Sequence, residues 1–293
     1  MATLRDIRRS IKAVKNTSQI TKAMKMVAAS KLRKAQGRML ELRPYSDKIY
    51  QVLGNLSGLS EAEAHPLLVK REAKTVEVVV ITSDRGLCGA FNANVLKAAA
   101  AFIAELKGKQ LQVSINAVGR KAQDYYKRRD IATRRTVTGI SGKIDYGHAQ
   151  NIAADVMEGY ASGAFDEVYL VYNEFKNVVT QVVRVVKLLP FEQERAGEPS
   201  EAAAEAAGPY IFEPDAAELY KELIPKAVEI KMFRAMLESQ TSEEASRMTA
   251  MENASKNAQE MIQRMTLVAN KVRQATITRE LMDIVGGVEA LKK

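Results

Sequence analysis

The hexapeptide Asp84-Arg85-Gly86-Leu87-Cys88-Gly89 puts a carboxylate, a guanidinium, a thiol and two glycines in a turn between a β-branched run and a helical segment. A helix starting after such a turn offers free backbone N–H groups to an anion, so a phosphate cradle is one reading. The spacing argues against it. Neither G-x-G-x-x-G nor a Walker A occurs there, and the strand ending at Val118 has no acidic residue to accept a ribose hydroxyl. A turn exposed for protein contact is the better reading. Cys88 reads as a small packing residue, with no histidine nearby in sequence to make it a nucleophile. As the single cysteine it excludes an internal disulfide and a multi-cysteine metal site, and His65 and His148 lack metal-ligand spacing. No acid, base and nucleophile converge, so neither a catalytic site nor a cofactor is expected.

The elements that must position this turn alternate strand and helix. Val76 to Ile81 reads as a buried strand, Asn92 to Lys107 as a helix, and Leu111 to Val118 as a second strand. A short helix containing Tyr125 follows Gly119, then a weaker strand from Arg134 to Thr138 and a helix from Tyr146 to Tyr160. Val168 to Tyr172 and Val178 to Leu189 close the series as strands on either side of a turn at Asn177. This order predicts a Rossmann-like, mostly parallel α/β sheet with an antiparallel hairpin at one edge.

Both ends of the chain have a different period. Thr3 with Asp6 forms a variant capping box, and no glycine interrupts the run from Leu4 to Gly37. Alternating steps of three and four give a seam of Leu4, Ile7, Ile11, Val14, Ser18, Thr21, Lys25, Ala28, Leu32, Ala35, Met39, Leu42, Ser46, Ile49, Leu53 and Leu56. The seam keeps its phase across Pro44, so one helix of roughly 80 Å is expected. A second seam runs from Ile230 through Phe233, Leu237, Gln240, Glu244, Arg247, Met251, Ala254, Ala258, Met261, Met265, Val268 and Val272 to Met282. The fold class is therefore α/β plus coiled coil, with long antiparallel N- and C-terminal helices forming a left-handed coiled coil around a central domain. Its divisions are expected at 1–57 for the first helix, 74–190 for the α/β domain, 191–209 for a linker and 210–286 for the second helix.

The formal net charge of +9 is not spread evenly. Residues 1–43 hold twelve Lys or Arg against Asp6 and Glu41, which leaves about −1 for the rest of the chain. A basic helix of this kind meets phosphates, an anionic lipid surface or an acidic protein. No aromatic residue precedes Tyr45 to stack on bases, and no apolar run reaches the ~18 residues a membrane-spanning helix needs. The N-terminus has no signal-peptide pattern, so an intracellular, soluble or peripheral protein is expected.

Each seam carries a polar fault: Ser18, Thr21 and Lys25 in the first, Gln240, Glu244 and Arg247 in the second. If the faults face each other, partners have residue numbers summing to about 265. Leu4 then lies opposite Met261, and about 25 residues of the second helix run roughly 35 Å past the first. Val268, Val272, Ile277, Leu281, Met282, Ile284 and Val285 would then be left without cover, which calls for a socket in an assembly.

Three segments carry a resemblance. Asn16-Thr17 with Ile20 to Met24 and Met26 to Lys31, the turn Asp84 to Gly89, and the tail Arg273 to Leu281 resemble the gamma-subunit family of bacterial-type F-type ATP synthases. The resemblance implies a rotor shaft with no catalytic residue of its own, one copy per complex, on the cytoplasmic face of the cell membrane without inserting in it. It implies the alpha, beta, epsilon and delta subunits and the membrane c ring as partners, no nucleic acid, and coupling of proton flow to ATP synthesis or hydrolysis at the beta subunits. Carried over by position, Met24 matches a contact to the beta-subunit lever loop, with Arg85 and Cys88 in a turn near those loops. Arg247, Gln274 and Thr278 match positions that bear on the hexamer, and the basic helix would meet acidic lever loops.

Overall fold

The computed structural model describes residues 3–57, 65–192 and 216–290. The expected linker from residue 193 and the helix start at Pro214 and Asp215 lie outside the described residues. In chain order the elements are α1 (Leu4–Ser57), β1 (Thr75–Ile81), α2 (Phe91–Gly108), β2 (Gln112–Val118), α3 (Arg120–Lys127), β3 (Arg135–Val137), α4 (Tyr146–Ala161), β4 (Glu167–Phe175), β5 (Gln181–Leu189) and α5 (Ala216–Ala290). The chain divides into two compact units, Ala29–Ser246 and Met1–Ala28 with Arg247–Lys293.

Within Ala29–Ser246 the strands form one sheet in the order β3-β2-β1-β4-β5. β1 pairs in parallel with β2 and β4, and β3 in parallel with β2. β5 returns antiparallel on β4 and forms the edge, the hairpin expected from the turn at Asn177. The unbroken Val76 to Ile81 run is buried on both faces, as a central parallel strand requires. On one face Val76, Val78 and Val80 pack with Val95, Ala99 and Ile103 of α2 and with Ala122 and Tyr126 of α3. On the other, Val79, Ile81 and Leu170 share a core with Ile152 and Val156 of α4, Ile49 and Leu53 of α1, and Ile224 to Leu237 of α5. The long helices are thus part of the domain's own core here.

In α1 the seam lies where its period puts it. Ala28, Leu32, Ala35, Met39, Ser46, Ile49 and Leu53 are buried, and Leu4, Ile7, Ile11, Val14 and Ser18 are half-buried. Thr3 and Asp6 exchange hydrogen bonds at the helix start, Asp6 N donating to Thr3 Oγ1 and Thr3 N to the Asp6 carboxylate. Pro44 sits inside the continuous helix.

Two expectations are corrected. The first is the register: Lys25 pairs with Glu252 at 2.7 Å in one unit, and Lys31 lies 4.0 Å from Glu244 in the other. These give sums of 25 + 252 = 277 and 31 + 244 = 275, not 265. Half-burial agrees, beginning at Leu4 on α1 and ending at Val272 on α5. The polar faults therefore do not meet, and the unaccompanied stretch runs from Arg273 to Ala290, roughly 27 Å. The second is the α5 seam. Beyond Ala258 the inward positions are Ile262, Met265, Ala269 and Val272, while Met261 and Val268 are about half exposed. Successive four-residue steps from Ala254 to Ala258 to Ile262 let a helix of 3.6 residues per turn drift back onto its partner.

Candidate functional site

The turn after β1 is built by side chains that the hexapeptide alone does not contain. Asn92, in the first turn of α2, donates through Nδ2 to Ser83 Oγ (2.8 Å) and to Cys88 Sγ (3.1 Å), and its Oδ1 accepts from Ser83 N (3.0 Å). Ser83 Oγ in turn donates to the Arg85 carbonyl at 2.6 Å. Cys88 is consequently 2% exposed and backs the turn from within, whereas Arg85 and Leu87 are at the surface.

The backbone N–H groups around the start of α3, rather than of α2, meet a carboxylate of the chain itself. Asp84 accepts backbone hydrogen bonds from Arg120 (2.9 Å), Gly139 (3.0 Å) and Ser141 (2.9 Å). Burial pushes its carboxyl up, but these donors, with the Arg120 charge, outweigh that and hold it below the usual carboxylate range. Gly119 permits the close approach this needs: at φ +97° a Cβ would fall 2.3 Å from the Thr82 carbonyl oxygen. Thr82 Oγ1 caps α3 by accepting from Ala122 N at 2.9 Å.

In an open α/β sheet the ligand crevice opens at the carboxyl ends of the strands, where strand order reverses; here that is between β1 and β4. Residues 239–246 of α5 plug it. Ser242 Oγ donates to the Asn173 carbonyl on β4 (3.1 Å), Ser141 Oγ to Glu243 Oε2 (2.9 Å), and Ser246 Oγ to Gln181 Oε1 on β5 (3.0 Å). Beside it, at the ends of β1 and β2, Ile81, Val118, Ile140, Met236, Ser239 and Gln240 line a space with room for about one water. Of the second polar fault, Gln240 lines this space, while Glu244 lies 4.0 Å from Lys31 of α1.

In the other unit, Met24 is half-buried beside the Lys25–Glu252 pair, and Arg247 is 9% exposed. The register places Met24 level with residue 253, nearly two turns from Arg247. Gln274 and Thr278 are exposed, one turn apart on the stretch beyond Val272, where Ile277, Leu281, Met282, Ile284, Val285 and Val288 are each more than half exposed. Arg85 and Cys88 share a turn, Gln274 and Thr278 share a helix face, and Met24 and Arg247 stand apart.

A family model described as ATP synthase matches residues 3–291. The chain is also 47% identical over 293 residues to the ATP synthase gamma chain of Pelotomaculum thermopropionicum, covering all of both chains. It belongs to the ATP synthase gamma-chain family. Among solved structures it resembles a chain of the Tetrahymena thermophila mitochondrial ATP synthase central stalk and c ring, at a TM-score of 0.60 and 29% identity over 80% of this chain and 99% of that one. A chain of the Euglena gracilis mitochondrial ATP synthase matches at 0.65 and 22% identity over 98% and 94%, which speaks for the fold alone.

For a gamma-family chain, the residues that sequence reasoning missed are Asp84 as an internal anion and Ser242, Glu243 and Ser246 as the plug. Their signal was present in the run Ser239-Gln240-Thr241-Ser242-Glu243-Glu244, too polar for a seam facing only another helix. Among the described residues of this gamma-family chain, no helix is long and apolar enough to cross a membrane, and no group of His, Cys, Asp or Glu could hold a metal ion.

Proposed function

We propose that this chain is the central shaft of an F-type ATP synthase, turning inside an alpha/beta hexamer and coupling proton flow to ATP synthesis or hydrolysis at the beta subunits. The observation that carries the reading is the run from Arg273 to Val288, exposed throughout and studded with large apolar side chains. Soluble surfaces rarely keep such a patch uncovered, so this stretch takes a socket, with Gln274 and Thr278 on the same helix face as Leu281 and Val285. The twelve cations of residues 1–43 suit acidic loops around the shaft. Met24 and Arg247 bear on the same ring from lower on the rod, and Arg85 bears on it from the turn that Cys88 supports.

In this reading the chain has no catalytic site, is present once per complex, and is peripheral to the cytoplasmic face of the membrane. The α/β domain, taken as residues 74–190, meets the c ring and epsilon, with delta elsewhere in the complex. The rod consists of residues 1–57 and 210–286, and 191–209 is the linker. Co-expression with alpha and beta subunits should yield a complex that contains this chain and hydrolyses ATP cooperatively. A chain that purifies away from both subunits and leaves hydrolysis unchanged would sink the reading.

A further inference from the structure

Gln240 of α5 is 7% exposed, and its Oε1 atom is buried with no hydrogen-bond partner among the described residues. A buried amide oxygen in that position is costly, and native chains answer nearly all such atoms. Gln240 lines the small space at the ends of β1 and β2, where α5 closes over the sheet. The hydroxyls of the strand end and of the loop facing it are committed elsewhere. Thr82 Oγ1 donates to the Val118 carbonyl (3.1 Å), and Ser141 Oγ donates to Glu243 Oε2 (2.9 Å). Neither has a second hydrogen to give to Gln240.

The space has the size and the lining that a single water needs. About 10 Å³ of it is open to the centre of a water molecule, roughly one molecule's worth. Its polar lining includes Ser239, Gln240 and Glu243 of α5, each at least nine-tenths buried. A water there meets an acceptor in Gln240 Oε1, a second in the Glu243 carboxylate and a hydroxyl in Ser239, within the roughly two to four partners that hold buried waters. The guest is neutral, because the lining holds one carboxylate, already accepting from Ser141, and leaves no room for a hydrated ion.

We propose that one resident water sits at this junction, donating to Gln240 Oε1 and bridging the α5 plug to the ends of β1 and β2. A glutamine stands in the seam after Leu237 because it holds this water, where an apolar side chain would leave the polar groups of Ser239 and Glu243 facing hydrocarbon. The water lies wholly within the unit Ala29–Ser246, so it stands or falls independently of the shaft reading.

Two measurements on the full chain test it. In water-selective NMR of the wild type, the Gln240 side-chain amide should show a cross-peak to water with the sign of a long-lived contact. An assigned Gln240 amide without that cross-peak would overturn the proposal. Gln240→Met keeps the length of the side chain and removes the acceptor. With a water to lose, its folded-to-unfolded ratio in denaturant should fall about 5- to 30-fold below that of the wild type. If the space is dry, the same substitution merely removes an uncompensated oxygen, and an unchanged or raised ratio would likewise overturn the proposal. Should Gln240→Met fail to fold, the wild-type cross-peak decides by itself.

Discussion

Residues 239–246 and residues 273–288 belong to one helix, and they invert the usual rule in opposite directions. The first stretch is polar and buried; the second is rich in apolar residues and exposed. Burial of Ser242 and Glu243, and half-burial of Ser246, is tolerated because the sheet end supplies Asn173, Ser141 and Gln181 as hydrogen-bond partners within the same chain. Exposure of Ile277, Leu281 and Ile284 has no such internal answer among the described residues. Polarity where the chain satisfies itself, and apolarity where it does not, separates an intramolecular plug from a surface meant for another molecule.

Removing residues 273–293 tests the contrast most severely. The isolated chain should keep its unfolding midpoint, while the complex with alpha and beta dissociates faster by on the order of a hundredfold, as expected for losing several buried apolar side chains. A truncated chain that melts far below the full one would mean that the stretch is internally packed. On the buried side, Glu243→Leu leaves Ser141 Oγ without its acceptor and should cost about 1–3 kcal/mol in denaturant unfolding. A neutral result would reduce the plug to simple packing.

Asp84 is tied to that plug through Ser141, whose N–H it accepts while the Ser141 hydroxyl donates to Glu243. Replacing it with Asn should cost about 1 kcal/mol at neutral pH. The folded carboxyl titrates below its ordinary value of 3.8, so its contribution is fully present above that value and is lost as pH falls through the lowered one. Acid unfolding of Asp84→Asn should accordingly be less steep below about pH 4 than that of the wild type. A parallel pair of acid melts would show that another carboxylate dominates.

The smallest effect sharpens the register. A double-mutant cycle on Lys25 and Glu252, whose side chains are 39% and 55% exposed, should return a coupling of about 0.2–1 kcal/mol. Zero coupling there, with measurable coupling between partners summing to 265, would restore the arrangement in which the faults face each other.

What could be read in advance followed from local period and composition. The α1 seam, the strand and helix order around β1 to β5, the hairpin at the sheet edge and the two polar faults were all legible, because side-chain direction depends only on neighbours a few residues away. The candidate contact positions came from resemblance alone, and their surroundings came only from the structure. Cys88 packs inward as read, but the Asn92 hydrogen bond that holds it there was not foreseen, nor was the pairing of Lys25, next to Met24, with Glu252.

The sequence by itself determined which faces of the long helices are seams and where those seams become polar. Only the tertiary structure decided what the faults face and how far one helix slides along the other. A heptad pattern repeats every seven residues, so it defines a face while leaving the axial offset nearly degenerate. The offset is chosen by contacts distant in sequence, such as Ser242 with Asn173 and Ser246 with Gln181, whose joint formation no local pattern encodes.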